Sequence, residues 1–270
     1  MPNKYLGRDD APFGDAVWEV LDAAMIEAAK SQLTGRRLLH IEGPHGLGLK
    51  GVALQDEVIT PAKPGQPEVV ASATLPLALI RTTFTLSARD LASYERNGVP
   101  LDVGNLVQAA ITCAQLEDEL LFSGSKQLNT VGLLTVAASK VKLGAWEKAG
   151  DAAADMIKAL TALDTAGFHG PYAVALAPSR FNLLFRRYPQ GNQTEMAHLQ
   201  SMVTEGIFKA PVLKDGGALL ASGKQFAAIV LGQDMTVGFI GPSGGELEFS
   251  ISESLAPRVR QPKSICVLAG

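Results

Sequence analysis

Between Gly46 and Leu79 the chain carries more than thirty residues that a compact domain has little room to bury. Short β-prone pieces (Val52–Leu54, Val58–Thr60, Val69–Ala71) alternate there with Pro61, Pro64, Gly65 and Pro67. This pattern predicts a long β-hairpin with a Pro/Gly tip. Unstructured loops of such length are uncommon inside a compact domain, and the strand signals argue against disorder. Two strands alone are marginal in water and need a third surface to cover them. The expectation is an arm that completes its sheet on a neighbouring subunit, with Val52, Leu54, Val58, Ile59, Val69 and Val70 as its contact residues.

Bulk composition narrows the partners. A chain of 270 residues is long enough for a sizeable core, in one large domain or two small ones. Aromatics are only 6% of it, so the core is mostly aliphatic and alanine. The 24 basic and 27 acidic residues are well mixed, and no basic stripe points to nucleic acid. The N-terminal MPNKYLGRDDAPFGDA lacks an apolar core of signal-peptide length, and no run approaches a membrane span. Cys113 and Cys266 sit in apolar surroundings without CxxC spacing, as two small buried hydrophobes in a reducing cytosol. Asn192-Gln193-Thr194 fits a glycosylation acceptor, which carries no weight without a secretion signal. The chain reads as cytoplasmic, with no membrane partner.

The elements read as α+β without a βαβ rhythm. An amphipathic helix spans 14–34, with Val17, Leu21, Met25 and Ala28 at three- and four-residue steps. A longer helix runs from about Asp102 to Phe122, with Leu106, Ala110, Cys113, Leu116 and Leu120 as its stripe and Gly124 as its stop. Further helices are expected over 150–166, 178–186 and 195–203. Strands are expected over 172–177, 226–230, 235–239, 246–252 and 264–268.

Several stretches imitate active sites. Gly46-Leu47-Gly48-Leu49-Lys50-Gly51 matches GxGxxG, which makes a nucleotide-dependent enzyme one reading of the chain. That motif needs a strand before it (Leu38–Ile41 is the candidate) and a helix after it, but residues 52–64 are β-prone and proline-broken. Gly217 to Lys224 resembles a phosphate loop but is one residue too long, with Gln225 where Ser or Thr should meet magnesium. His40, His45, His169 and His198 show no ligand spacing, so no metal is expected. Glu117-Asp118-Glu119 reads as a solvated or interface-pairing acidic cluster. No nucleophile–base set appears, and no catalytic residue is assigned.

The ordered blocks carry a resemblance. GRRLLHIEGPHG (35–46) precedes the arm, and LPL (75–77), IRTTFTL (80–86) and YER (94–96) come after it. Then come EDE (117–119), FSG (122–124), GPY (170–172) and LGQD (231–234). In this order they resemble the encapsulins, shell proteins with the HK97-like fold of tailed-phage major capsids, over roughly Phe13 to Leu268.

The resemblance implies a non-enzymatic shell subunit. Its parts would be an N-terminal helix and the start of a peripheral domain (1–47), an extended E-loop (48–73), the peripheral domain with its spine helix (74–132), an axial domain (133–239) and a peripheral return (240–270). Sixty copies or a multiple would close an icosahedral shell around cargo enzymes. The cargo would dock by a short targeting peptide; ferritin-like proteins and dye-decolourising peroxidases are typical of the family. The docking groove would have Leu21, Met25, Leu38, Ile251 and Leu255 as its floor, with Arg36 and His40 beside Leu38 on a strand. Arg187, Tyr188, Pro189, Gln190, Gly191, Asn192 and Gln193 would rim the fivefold opening, with Arg186 and Arg187 favouring anions there. Some relatives stack a flavin near a Trp after the TFTL block; Arg89 is nearest that place here, so no cofactor is expected. A phage or prophage major capsid enclosing DNA is the alternative.

Overall fold

The computed structural model describes residues 4–60 and 65–270; Pro61 and Pro64 of the expected arm tip lie outside these. Eight α-helices form among the described residues: α1 (Asp15–Gln32), α2 (Gly35–Leu38), α3 (Ala88–Asn97), α4 (Gly104–Ser123), α5 (Leu133–Val136), α6 (Asp151–Thr165), α7 (Pro178–Leu183) and α8 (Glu195–Gln200). The strands of the first half are β1 (His40–Glu42), β2 (Gly51–Thr60), β3 (Val69–Pro76), β4 (Ala78–Ser87), β5 (Gly124–Ser125), β6 (Thr130–Val131) and β7 (Ser139–Lys142). Those of the second half are β8 (Tyr172–Leu176), β9 (Gly206–Lys209), β10 (Gly217–Ala221), β11 (Ala227–Leu231), β12 (Thr236–Ser243), β13 (Glu246–Val259) and β14 (Ile265–Ala269).

The first sheet is built on β13. One edge of β13 pairs antiparallel with β4, from Glu246↔Ser87 to Leu255↔Ala78. The other edge takes β12 along its first half and β11 along its second, and β1 adds to β11 in parallel. Leu247, Phe249 and Ile251 alternate inward, as period-two geometry requires of a half-buried strand. Helices α1 and α4 cover this face. Phe249 is fully buried and stacks on Phe84 at 5.2 Å, with Phe13 and Trp18 closing around it. Helix α4, twenty residues and therefore about 30 Å long, ends at Gly124, where φ of +73° suits a residue without Cβ.

The second sheet has the order β7-β14-β10-β8-β9. Its strands serve two cores at once. Ala173 and Ala175 of β8 face the first core, while Tyr172, Val174 and Leu176 face a second one under α6. Leu220 and Ile265 repeat the first orientation, and Leu219, Ala221, Cys266 and Leu268 the second. This explains why β8 and β10 are buried at every position and read as unbroken apolar runs.

The expected boundaries do not match these sheets. Strand β11 and the first part of β12, assigned with the axial domain, belong to the first sheet. The last strand β14, assigned to the peripheral return, lies between β7 and β10 in the second. Residues 35–38 form a helical turn, so Arg36 and Leu38 do not share a strand with His40. Leu116 is 44% exposed, because the inward stripe of α4 runs through Ala114, Glu117 and Asp118 instead.

Candidate assembly and docking sites

The arm is a ribbon of its own: β2 and β3 pair antiparallel, from Gly51↔Pro76 to Thr60↔Val69, and form a separate two-stranded sheet. Val52 and Leu54 near its root are half-buried. Towards the tip Val58, Ile59, Val69 and Val70 are 46–59% exposed. Val69 and Val70 are consecutive in β3, each with its own partner in β2, so their side chains leave opposite faces of the ribbon. The arm thus presents β-branched surface on both sides, together with two outer backbone edges. Before it, Gly46–Lys50 is a turn that runs straight into β2. No helix opens there, so the GxGxxG match lacks the amide terminus that a pyrophosphate needs. Gly217–Ala221 of the second imitation is strand β10.

Residues 187–193 form a tight loop between α7 and α8. Arg187 bridges Thr194, and the Tyr188 amide donates to the Gln193 carbonyl at 3.1 Å. Pro189 through Gln193 are exposed. The base is held firmly. The Arg186 guanidinium donates to the carbonyls of Trp146 (2.6 Å), Glu147 (3.0 Å) and Leu183 (3.0 Å), which leaves Arg187 as the loop's exposed cation. Glu195 is fully buried, and its Oε1 accepts from the amides of Gly150 (2.9 Å) and Ala153 (3.0 Å) at the start of α6. A carboxylate at a helix N-terminus satisfies otherwise orphaned donors. The Tyr188 hydroxyl lies 2.8 Å from His198 Nδ1, and burial, then Glu195, raise its pKa.

The expected docking floor is core. Leu21, Ile251 and Leu255 are fully buried, and Met25 and Leu38 are 4% and 5% exposed, because they hold α1 and α2 against the first sheet. Of the two polar residues assigned to the groove, His40 is exposed and Arg36 is committed elsewhere.

Arg36 sits at the centre of a buried charge cluster. Its Nε and Nη2 donate to Glu117 at 2.8 Å, Nη2 also to Glu253 at 2.9 Å, and Nη1 to Asp234 at 2.6 Å. Glu117 and Glu253 are both fully buried. Burial works against the guanidinium charge, but Glu117 and Asp234 outweigh it and hold the Arg36 pKa above its ordinary value. Beside it the Asp118 carboxylate accepts from the amides of Thr34 and Gly35, each at 2.8 Å. Burial pushes Asp118 up to about 6 against those bonds. Glu253 is pushed up to about 10 by burial and then by Glu117, and among the described residues its Oε1 finds no hydrogen-bond partner. Glu253 therefore keeps a proton at neutral pH. The cluster ties α2, α4, β13 and the turn after β11 into one knot. The acidic 117–119 stretch is thus a solvated cluster only at Glu119.

One groove does open between α1 and the first sheet. It holds about 670 Å³ and is lined by the N-terminal segment, α1 and the residues at the start of β12. Phe13 and Trp18 lie against each other in its wall at 5.2 Å. Arg8 lies 4.0 Å over the Trp18 ring and forks onto Asp22 at 3.0 and 2.7 Å. Sequence reasoning expected a groove beside the N-terminal helix but named none of these lining residues, since they spread over three separate elements.

A spine helix, two sheets and a protruding ribbon define the subunit of a HK97-like capsid. The structure is similar to the virus-like particle of Pyrococcus furiosus (TM-score 0.72, 21% identity, covering 93% of this chain and 99% of that one). It is also similar to the capsid of Myoviridae phage XM1 (TM-score 0.58, 12% identity, covering 86% and 89%). Residues 3–256 match the family described as encapsulating protein for peroxidase (Linocin_M18). The type 1 encapsulin shell protein EncA of Myxococcus xanthus is 30% identical, with 100% of this chain and 98% of that protein covered. A diheme-cytochrome-encapsulin shell fusion protein of Kuenenia stuttgartiensis is 27% identical over 93% of this chain and 72% of its own length. The chain belongs to the encapsulin shell protein family, which favours that reading over a phage capsid. Among the described residues no helix is long and apolar enough to cross a membrane.

Proposed function

We propose that this chain is a structural, non-catalytic subunit that closes with copies of itself into an icosahedral compartment of the cytoplasm. The observation that carries this is the arm: β-branched residues exposed on both faces of a ribbon that, among the described residues, pairs with no other strand. Such an edge gains backbone hydrogen bonds and buries apolar surface when a neighbour adds to it, and closure of the shell removes the exposed edge. Repeated weak contacts then act together through multivalency. The 187–193 loop, short and pinned at its base, suits the rim of an opening, with Arg187 as its charge. Cargo proteins are held inside by a tail in the groove between α1 and the first sheet; a ferritin-like protein or a peroxidase is the class that the family favours.

Negative-stain electron microscopy of the protein expressed alone, with absorbance at 260 and 280 nm on the same fraction, tests this. Uniform hollow particles free of nucleic acid are expected. A monomer or small oligomer across salt and pH would sink the proposal, and DNA-filled particles would return it to the phage alternative.

A further inference from the structure

The stretch from Gly217 to Lys224 fails as a phosphate loop because no helix follows it, yet its last residues do enter a pocket. Strand β10 ends at Ala221, and the turn from Ser222 to Phe226 leads from the second sheet to β11 of the first. Ser222 and Lys224 line a cavity of about 380 Å³ together with the α2–β1 junction and the start of β8. Arg37, His40 and Lys224 bring basic groups to it from separate elements, and all three are exposed. The neighbouring Arg36, Arg258 and Arg260 are each paired with a carboxylate, whereas among the described residues Arg37 and Lys224 have none. The Arg37 guanidinium lies 4.4 Å over the Phe208 ring, and a stacked guanidinium keeps its N–H donors free in its own plane. The Ser222 Oγ is buried and finds no hydrogen-bond partner among the described residues, a state that calls for an explanation. Glu205 stands opposite these groups in sign, and Leu39 and Pro171 add an apolar wall.

We propose that this pocket binds a small hydroxylated phosphomonoester. The phosphate sits between Arg37 and Lys224, the first a planar fork for two of its oxygens and the second a point charge. His40 and, after rotation about χ1, the Ser222 hydroxyl are its further donors. Inorganic phosphate alone leaves most of the cavity empty, whereas sites for small organic ligands begin at about 300 Å³. The organic part lies along Leu39 and Pro171. Glu205 accepts from its hydroxyls and, as a like charge, turns away a molecule with a second anionic group. None of these residues belongs to the arm, to the 187–193 loop or to the lining of the groove beside α1, so the pocket stands or falls apart from the shell.

Isothermal titration of the purified chain, in whatever assembly it forms, with ribose 5-phosphate, ribose and inorganic phosphate tests this. Ribose 5-phosphate should bind once per chain, inorganic phosphate more weakly and ribose not at all. The double variant Arg37→Gln/Lys224→Gln should bind ribose 5-phosphate roughly three- to tenfold more weakly, as the loss of two exposed charge contacts allows. Both side chains are exposed, so its circular dichroism and Tm should match those of the parent. The control Lys126→Gln/Lys214→Gln, with the same change of charge on exposed lysines outside the pocket lining, should keep the parent affinity. Absence of binding, inorganic phosphate held as tightly as ribose 5-phosphate, or an equal loss in control and pocket variant overturns the proposal. Electron microscopy of the same samples reads the shell separately. Particles that bind no ribose 5-phosphate overturn the pocket alone, and binding by a chain that forms no particles keeps the pocket and overturns the shell.

Discussion

The arm and strand β13 are both long antiparallel segments, yet they are finished in opposite ways. Strand β13 has partners along both edges and alternates Leu247, Phe249 and Ile251 into a core covered by two helices. Among the described residues the arm's strands pair with each other alone, and Val58, Ile59, Val69 and Val70 are left in solvent. The same β-branched and apolar chemistry is spent inside the subunit in one case and held for a neighbour in the other. Stability of the fold and competence to assemble should therefore be separable by mutation.

The largest expected effect breaks the finished side. Arg36→Ala strands the buried Glu117 carboxylate without its cation, a loss of about 3–5 kcal/mol by analogy with other broken buried pairs. Urea denaturation of the subunit should show it as a large fall in midpoint. Phe249→Ala removes the ring at the centre of the aromatic cluster and should cost about 3–5 kcal/mol, with soluble yield and Tm falling together. On the arm, Val58→Asp with Ile59→Asp should leave subunit stability within about 0.5 kcal/mol, as for other exposed positions, while particles vanish from electron micrographs. A comparable loss of Tm in that variant would contradict the separation drawn here. The smallest effect sharpens it through pH. Glu253 holds its proton in the folded chain up to about 10, whereas the unfolded carboxyl releases it near its ordinary value of 4.5. Between those values the native state binds more protons, so stability falls as pH rises. Glu253→Gln should flatten that slope, and thermal melts from pH 6 to pH 10 should show the variant gaining on the parent. Parallel curves would remove Glu253 from the account.

How much of this was legible depends on how local each signal is. Helices α1, α4 and α6 are periodic over many residues, and the sequence pattern places them within one or two residues of their observed ends, while β3 runs five residues past the expected Ala71. The path of the chain between sheets is not local. β14 joins the second sheet because its partners Gly217–Leu220 arrive some fifty residues earlier, and nothing near residue 265 announces that. The charge knot is the more instructive miss. Glu117 lies on the inward stripe of α4 between Cys113 and Leu121, and Glu253 continues the inward series after Ile251. A carboxylate at a position where the period calls for an apolar side chain is a signal that a cation must reach it. Arg36 does so from 81 residues before Glu117 and 217 before Glu253. The residues expected to floor the docking groove show the converse. Leu21, Met25, Leu38, Ile251 and Leu255 have the composition of an apolar groove, but that composition also describes a core, and only burial tells them apart.

The junction of arm and body has a mechanical consequence. Strand β3 ends at Pro76, and after Leu77 the chain re-enters a sheet as β4, so the ribbon is rooted directly in the strand that lines one edge of β13. A pull on the arm by a neighbour runs lengthwise down β4. The β4–β13 hydrogen bonds lie across that direction, so they take the load in shear, many at once, instead of parting one at a time as in a peeled zipper. Tension in a shell built this way passes from tendon to plate, and a subunit can be gripped hard by its arm without being unravelled from it.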